Sequence, residues 1–399
     1  MRLIGAAATL LVLTLIVAVS GNSPTVDAQK FDGQDIFRFD TFGDEQLWTN
    51  TLRLQDAIET VAPAAALGLG LKVDADALPP PVVTALRAGK LDVNDPAVTR
   101  QLLEMNAVVG VIGKVADDQI KSIGTTCALC HSTVDNSLAP GIGHRLDGWP
   151  NLDLDVGKIA ALAPGFPDTL REEFRSWGPG KYDPRHHVFD GTSLKILNSP
   201  SLPVVIPPAY GLKGVGFETF DGDGPISYWN SYVGVTQMGG HGSFSDPRIG
   251  VTVTQKPDRV TPKLPALLAY QLSLAAPPPP AGSFNQAAAA RGQAIFNGAG
   301  RCGSCHIPPI YTDVLSGSDP GVPFLHAPEE VGADPRYAAR SATKLYRTTP
   351  LRALWQHPPY FHDGSAADLL AVVNHYDQVF SLSLTADQKA DLVEFLKSL

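Results

Sequence analysis

Cys127-Ala128-Leu129-Cys130-His131 and Cys302-Gly303-Ser304-Cys305-His306 are the stretches on which the reading of this chain turns. Between them they use every cysteine in the 399 residues. Both read Cys-x-x-Cys-His, the spacing of a c-type haem attachment site. Two thiols add across the two vinyl groups of one haem, and the next residue, His, lies under the iron as its proximal ligand. A zinc site would need both pairs together, and positions 130 and 302 lie far beyond a zinc-ribbon spacing. A thioredoxin-like pair needs no following His, and plain disulfides would leave the repeated His a coincidence. The spacing points to two covalent haems, attached through Cys127, Cys130, Cys302 and Cys305, with His131 and His306 as iron ligands.

Outward from the motifs, the N-terminus reads as an export signal. Arg2 precedes an uncharged apolar run from Leu3 to Val19, and Ala18-Val19-Ser20 or Val26-Asp27-Ala28 fits a small-residue cleavage site. A retained anchor is the alternative, since the run approaches the ~20 residues that a span needs. The protein is thus expected in the periplasm or otherwise outside the cytoplasm, touching a membrane only if that segment is kept. Lys+Arg of 31 against Asp+Glu of 40 gives a net charge of −9, which argues against a nucleic-acid binder. Hydrophobic content of 44% with 18% charged residues excludes wholesale disorder. Gly 37 and Pro 34 predict long loops.

The expected organisation is a signal peptide at 1–28, a helical extension at 29–120, a first haem domain at 121–274, a Pro-rich linker at 275–284 and a second haem domain at 285–399. The fold class that follows is mainly α, with two haem domains and long loops. Apolar spacing predicts helices over Leu47–Val61 and Ala97–Val115, the second starting at Asp95-Pro96, with Leu78-Pro79-Pro80-Pro81 as a break between them. Ala275-Ala276-Pro277-Pro278-Pro279-Pro280 is a stiff, extended tract. Ala287–Phe296 predicts a helix leading into Cys302. Thr385-Ala386-Asp387-Gln388 has the form of a capping box opening a last amphipathic helix through Leu392, Val393, Phe395, Leu396 and Leu399.

Arg291-Gly292-Gln293-Ala294-Ile295-Phe296 followed by Cys302 resembles the first helix and haem loop of a class I cytochrome c, which packs its terminal helix on its first. Between these helices stand Arg347-Thr348-Thr349-Pro350-Leu351-Arg352, Pro359-Tyr360-Phe361-His362-Asp363-Gly364 and Leu369–Tyr376. Together they resemble the C-terminal domain of the bacterial dihaem cytochrome c peroxidases, over roughly 285–399. In that family the residue fourteen after the His of the second motif is an axial ligand, which here is Tyr376. The family also carries a Gly-His soon after the first haem motif, matched by Gly143-His144, and a Trp between the haems, to which Trp177 loosely corresponds. A core or loop aromatic is the plainer reading of Trp177. The family holds a calcium ion between its domains, but no ligands for one are identified; Asp221-Gly222-Asp223-Gly224 reads as a turn. Residues 29–120 have no counterpart in the family.

The sixth iron ligand separates two functions: Met or His closes the iron for electron carriage, while an open position admits peroxide or oxygen. Beyond Met1 the chain has only Met105 and Met238, and no Met follows His306. Met238 lies in the glycine-rich loop Val235–Gly242, the kind that presents a Met ligand; a packing Met is the alternative. Met105, with Leu102 and Leu103, reads as core. His186, His187, His241 and His326 read as exposed or loop residues. For the second haem, Tyr376 is the expected ligand, with His362 or His375 as alternatives, and a buried hydrogen-bonded phenol as the plain reading of Tyr376. The functions carried forward are an extracytoplasmic dihaem electron carrier and a dihaem peroxidase or related oxygenase, either working with a small redox protein.

Overall fold

The computed structural model describes residues 31–315 and 324–399. The expected export signal lies outside the described residues. Among the described residues no helix is long and apolar enough to cross a membrane. The fold is mixed rather than mainly α, with 39% helix and 14% strand. Its strands form small two-stranded sheets. The expected helical content falls short because loop segments pair locally, as Ser132–Val134 does with Arg145–Asp147 and His187–Phe189 with Leu194–Ile196.

The N-terminal segment opens with α1 (Gly33–Phe39), capped by Asp32, whose carboxylate accepts from the Gln34 and Asp35 N–H groups. Helix α2 (Pro96–Glu104) starts where Asp95-Pro96 predicts. It ends well short of Val115, because Asn106 takes a left-handed conformation (φ 51°) just past the C-cap. The β-branched run beyond it forms a hairpin instead, β1 (Val111–Ala116) on β2 (Gln119–Thr125), with Asp117 and Asp118 both at positive φ in the turn. The region 47–61 is likewise broken, into a π-helical turn Gln46–Thr51 and a short helix Leu54–Ile58. Pro80 and Pro81 open the helix Pro80–Arg87 rather than only breaking a segment.

Strand β2 runs directly into the first motif. Asp44, fully buried, accepts from the Thr125 N–H at 2.9 Å and from its hydroxyl at 2.6 Å. Gly110, at φ 76°, lets the hairpin touch the motif, since a Cβ there would overlap Leu129. One core cluster joins Leu47, Leu102 and Ile123 to Phe174, Trp177 and Phe189. Another joins Ile36, Phe37 and Phe42 to Trp229, Met238 and Leu267. Each draws on residues from both sides of position 120, so the described residues 31–120 share their core with the first-motif region.

Later in the chain, α3 (Ala128–His131) carries the first motif, α4 (Asp168–Arg175) and α5 (Ile226–Tyr232) flank it, and α6 (Leu264–Ser273) packs on α1. Residues 274–280 contain no helix or strand. Helix α7 (Gln286–Asn297), capped by Asn285, leads to Cys302 as expected. Helices α8 (Leu369–Val379) and α9 (Ala386–Lys397) complete this region. The capping box is present: Gln388 N–H donates to Thr385 Oγ1 at 3.3 Å, and Thr385 N–H to Gln388 Oε1 at 2.9 Å. Helices α7 and α9 cross at Gly292, where a Cβ would overlap the Asp391 carbonyl. Arg291 binds Asp391 through Nε at 2.7 Å and Nη2 at 2.5 Å, and Phe296 meets Phe395 with ring centroids 5.1 Å apart.

Candidate haem-binding cavity

A cavity of about 900 Å³ is lined by all six residues that define the two motifs: Cys127, Cys130, His131, Cys302, Cys305 and His306. Polar ties between the two parts of the chain close it. Arg347 donates to Glu218 Oε2 at 2.9 Å, in a buried bond, and to the Phe217 carbonyl at 2.6 Å. Lys181 donates to the Asp363 carbonyl at 2.8 Å, and the Val205 N–H to the His362 carbonyl at 2.7 Å.

The donor set fits a covalently attached haem at each motif. The four cysteines are free thiols. His131 Nδ1 donates to the Pro207 carbonyl at 3.1 Å, and His306 Nδ1 to the Tyr311 carbonyl at 2.9 Å. Anchoring Nδ1 fixes the ring and leaves Nε2 as the metal-binding nitrogen. Burial pushes the Cys127 and Cys130 thiols up to about 12 and the Cys302 thiol up to about 11. It also lowers His131 to about 4, so that imidazole is neutral and available as a ligand at pH 7.

The candidate sixth ligands separate by placement. Met238 is 9% exposed, lines the cavity and belongs to the second core cluster. It caps a π-helical turn, Val233–Gln237, that continues α5. Tyr376 is half-buried on α8 and also lines the cavity; its hydroxyl has no hydrogen-bond partner among the described residues. Burial pushes that phenol up to about 12, with the Cys302 and Cys305 thiols adding to the effect. His362 and His375 line the cavity as well. His375 Nε2 is spent on the Val331 carbonyl at 3.0 Å, and His362 stacks on Phe220 with centroids 5.0 Å apart.

His144 is not brought to the cavity. Its side chain is 60% exposed and pairs through Nδ1 with Asp76 Oδ1 at 2.8 Å, which raises its pKa. The short strands Ile142–Gly143 and Arg145–Asp147 turn that residue outward to solvent. Asp221 and Asp223 stand in the turn expected of them, facing Arg185 on the opposite side, with Asp221 Oδ2 at 3.2 Å from its Nη2. Asp223 also accepts from the Ala342 and Thr343 N–H groups at 2.8 and 3.1 Å. These carboxylates are thus already committed to other donors, and no calcium ligands emerge there.

Two histidines expected to be exposed are buried, His186 at 0% and His187 at 6% exposure, and His326 is half-buried with 14% of its side chain exposed. His326 donates to Glu330 Oε1 at 2.9 Å and bonds Thr348 Oγ1 at 3.0 Å. With Asp313 and Cys305 it forms a cluster whose ligand atoms lie within 4.8 Å of one another. Trp177 is a core residue, as its plainer reading has it, and it also lines the cavity; its Nε1 donates to Ser201 Oγ at 2.9 Å. Sequence reasoning missed Tyr182, His187, Gln237 and His357, all in the cavity wall. Only the doublet His186-His187 carried any signal for them.

No family model matches the chain. It is 35% identical over 125 residues to the methylamine utilization protein MauG of Methylorubrum extorquens, across 28% of this chain and 34% of that protein. The match thus spans about a third of the relative's length. Among solved structures, a MauG-like protein associated with microbial copper homeostasis is 19% identical, covering 52% of this chain and 78% of that one at a TM-score of 0.37. Hydrazine synthase of Kuenenia stuttgartiensis is 21% identical, covering 49% of this chain and 72% of that one at a TM-score of 0.34. Over part of its length, then, this chain is similar to a MauG protein.

Proposed function

We propose that the chain is an extracytoplasmic dihaem c-type cytochrome that passes electrons to or from a small redox protein. One observation carries this reading: both Cys-x-x-Cys-His motifs, with their histidines anchored through Nδ1, line a single cavity. Cys127, Cys130 and His131 would hold one haem, and Cys302, Cys305 and His306 the other. A bound haem supplies one-electron storage at iron. The chain's own residues do the rest. His131 and His306 would hold the iron, the apolar wall would exclude water, and Met238 and Tyr376, which line the same cavity, would set the potentials. The excess of acidic groups suits a basic partner docked weakly, so the rate of exchange should fall with added salt.

A dihaem peroxidase is the second reading, favoured by the polar side chains Tyr182, His187 and Gln237 in a largely apolar wall beside Met238. Such groups suit proton handling at a substrate oxygen. An EPR spectrum of the oxidised protein, paired with mixing of half-reduced protein, hydrogen peroxide and a reduced small cytochrome, separates the two. Electron carriage predicts low-spin iron at both sites and slow oxidation of the donor. High-spin iron with rapid oxidation of the donor would overturn it in favour of the peroxidase.

A further inference from the structure

His186 and His187 are adjacent, buried and set against each other, with Nδ1 of one 3.2 Å from Nδ1 of the other. On the outer side, His186 Nε2 makes no hydrogen bond but lies 3.3 Å from Oε2 of Glu173, a residue of α4 whose side chain is 22% exposed and whose Oε1 accepts from the Ser201 N–H. On the inner side, His187 lines the cavity, with its Nε2 3.5 Å from the Tyr182 hydroxyl. The Tyr182 hydroxyl donates to Gln237 Oε1 at 2.8 Å, and Gln237 Nε2 donates to the His187 carbonyl at 2.8 Å. Gln237 thus ties the His187 backbone and the Tyr182 phenol together at the cavity edge.

We propose that Glu173, His186 and His187 form a proton path between the protein surface and the cavity at the first motif. The inference rests on the reading that this motif carries a haem. Two contrasts set the pair apart from five other histidines, all of them less buried. His131, His306, His241, His357 and His375 each bond a backbone carbonyl through a ring nitrogen. None of the four ring nitrogens of His186 and His187 does so. The neighbouring charges, Asp183 and Arg185, are closed off, Asp183 by Arg340 at 2.8 and 2.9 Å and Arg185 by Asp221 and Asp223. Glu173 is the charged group left facing the pair.

The tautomers close the argument. Two Nδ1 atoms in contact require one to donate and the other to accept. If His187 carries its proton on Nδ1, its Nε2 is an acceptor toward the cavity and the proton of His186 sits on Nε2, toward Glu173. A proton taken up at His187 Nε2 releases the Nδ1 proton to His186 Nδ1, which releases its Nε2 proton to the Glu173 carboxylate. The opposite tautomers run the sequence inward. Each passage moves one proton through three transfers and leaves no charge on the buried rings. Burial holds His187 down to about 3, which disfavours a resting imidazolium and suits relay over storage. In the inward direction one proton enters at Glu173 and one leaves His187 Nε2 for a water in the cavity, so each electron delivered by the redox partner can be matched there by a proton.

The test is proton uptake on reduction of the holoprotein, followed with a pH-indicator dye in weak buffer after flash photoreduction, with haem counted on the same samples. The expected result is uptake by the unaltered protein and a slowing of about 10²-fold in Glu173→Gln. Imidazole added as a small diffusible acid should restore the rate. Glu173→Gln changes a part-exposed side chain and keeps its shape; His187→Gln is the second variant and should be slow as well. Uptake at the unaltered rate in both variants would overturn the path. Two bound haems without proton uptake in the unaltered protein would overturn the path alone, whereas absence of the first haem would overturn this inference and the proposed function together.

Discussion

The imidazole of His306 donates through Nδ1 to the backbone carbonyl of Tyr311, five residues on, at 2.9 Å. The second motif therefore orients its own histidine within one short loop. His131 has no such local partner and reaches the Pro207 carbonyl, far along the chain. The first site is consequently the more dependent on tertiary packing, and the two sites are expected to respond differently to substitution.

At the second site, Tyr376→Phe should raise the reduction potential of the haem and shift its spectrum towards five-coordinate iron. A phenolate is a hard, anionic donor that favours ferric over ferrous iron. The phenol is half-buried with no hydrogen bond among the described residues, so its loss should leave folding intact. A spectroelectrochemical titration of the variant checks both effects; no change in either would assign the position to another residue, with His362→Ala and His375→Ala next.

At the first site, Met238→Leu keeps the buried volume and should cost less than about 1.5 kcal/mol in stability. It should nevertheless change the visible spectrum of the first haem. His144→Ala, by contrast, should leave both haem spectra unchanged, because His144 faces solvent against Asp76. Absorption spectra of the two variants, oxidised and reduced, decide between the residues.

The α7–α9 crossing should tolerate no side chain at Gly292. A Cβ there overlaps the Asp391 carbonyl, so Gly292→Ala must push the helices apart, at a cost of about 1–3 kcal/mol. Thermal unfolding followed by circular dichroism should show a lower Tm.

Asp223 supplies a pH dependence. Burial, with Asp221 beside it, pushes its carboxyl up from 3.8 to about 6 in spite of Arg185. A raised pKa means that the folded protein binds more protons than the unfolded chain between about pH 4 and 6. This group's contribution to stability therefore falls as pH rises through that window. Asp223→Asn should flatten the fall; urea unfolding midpoints across pH 4–7 measure it.

What the sequence made legible was local. The haem motifs, the Asn285 and Thr385 caps and the cavity-facing Tyr376 follow from spacing and capping chemistry within a few residues. The misreadings came where distant segments decide. Helical spacing through Val115 gave way to a left-handed Asn106 and a hairpin that packs on Asp44. His144 follows a glycine as the family pattern asks, yet the strand pairing around it turns the side chain outward. His186 and His187 look like a polar doublet until Phe174 and Trp177 cover them, with ring centroids 5.7 and 6.3 Å from that of His186.

The central claim is that each Cys-x-x-Cys-His motif binds one haem covalently. Pyridine haemochrome analysis of the purified, solvent-extracted protein tests it most directly, alongside Cys127→Ser/Cys130→Ser and Cys302→Ser/Cys305→Ser variants. The account predicts two haems per chain that resist acidified solvent, and one in each double variant. Haem that extracts freely, or a single haem in the unaltered chain, would contradict it.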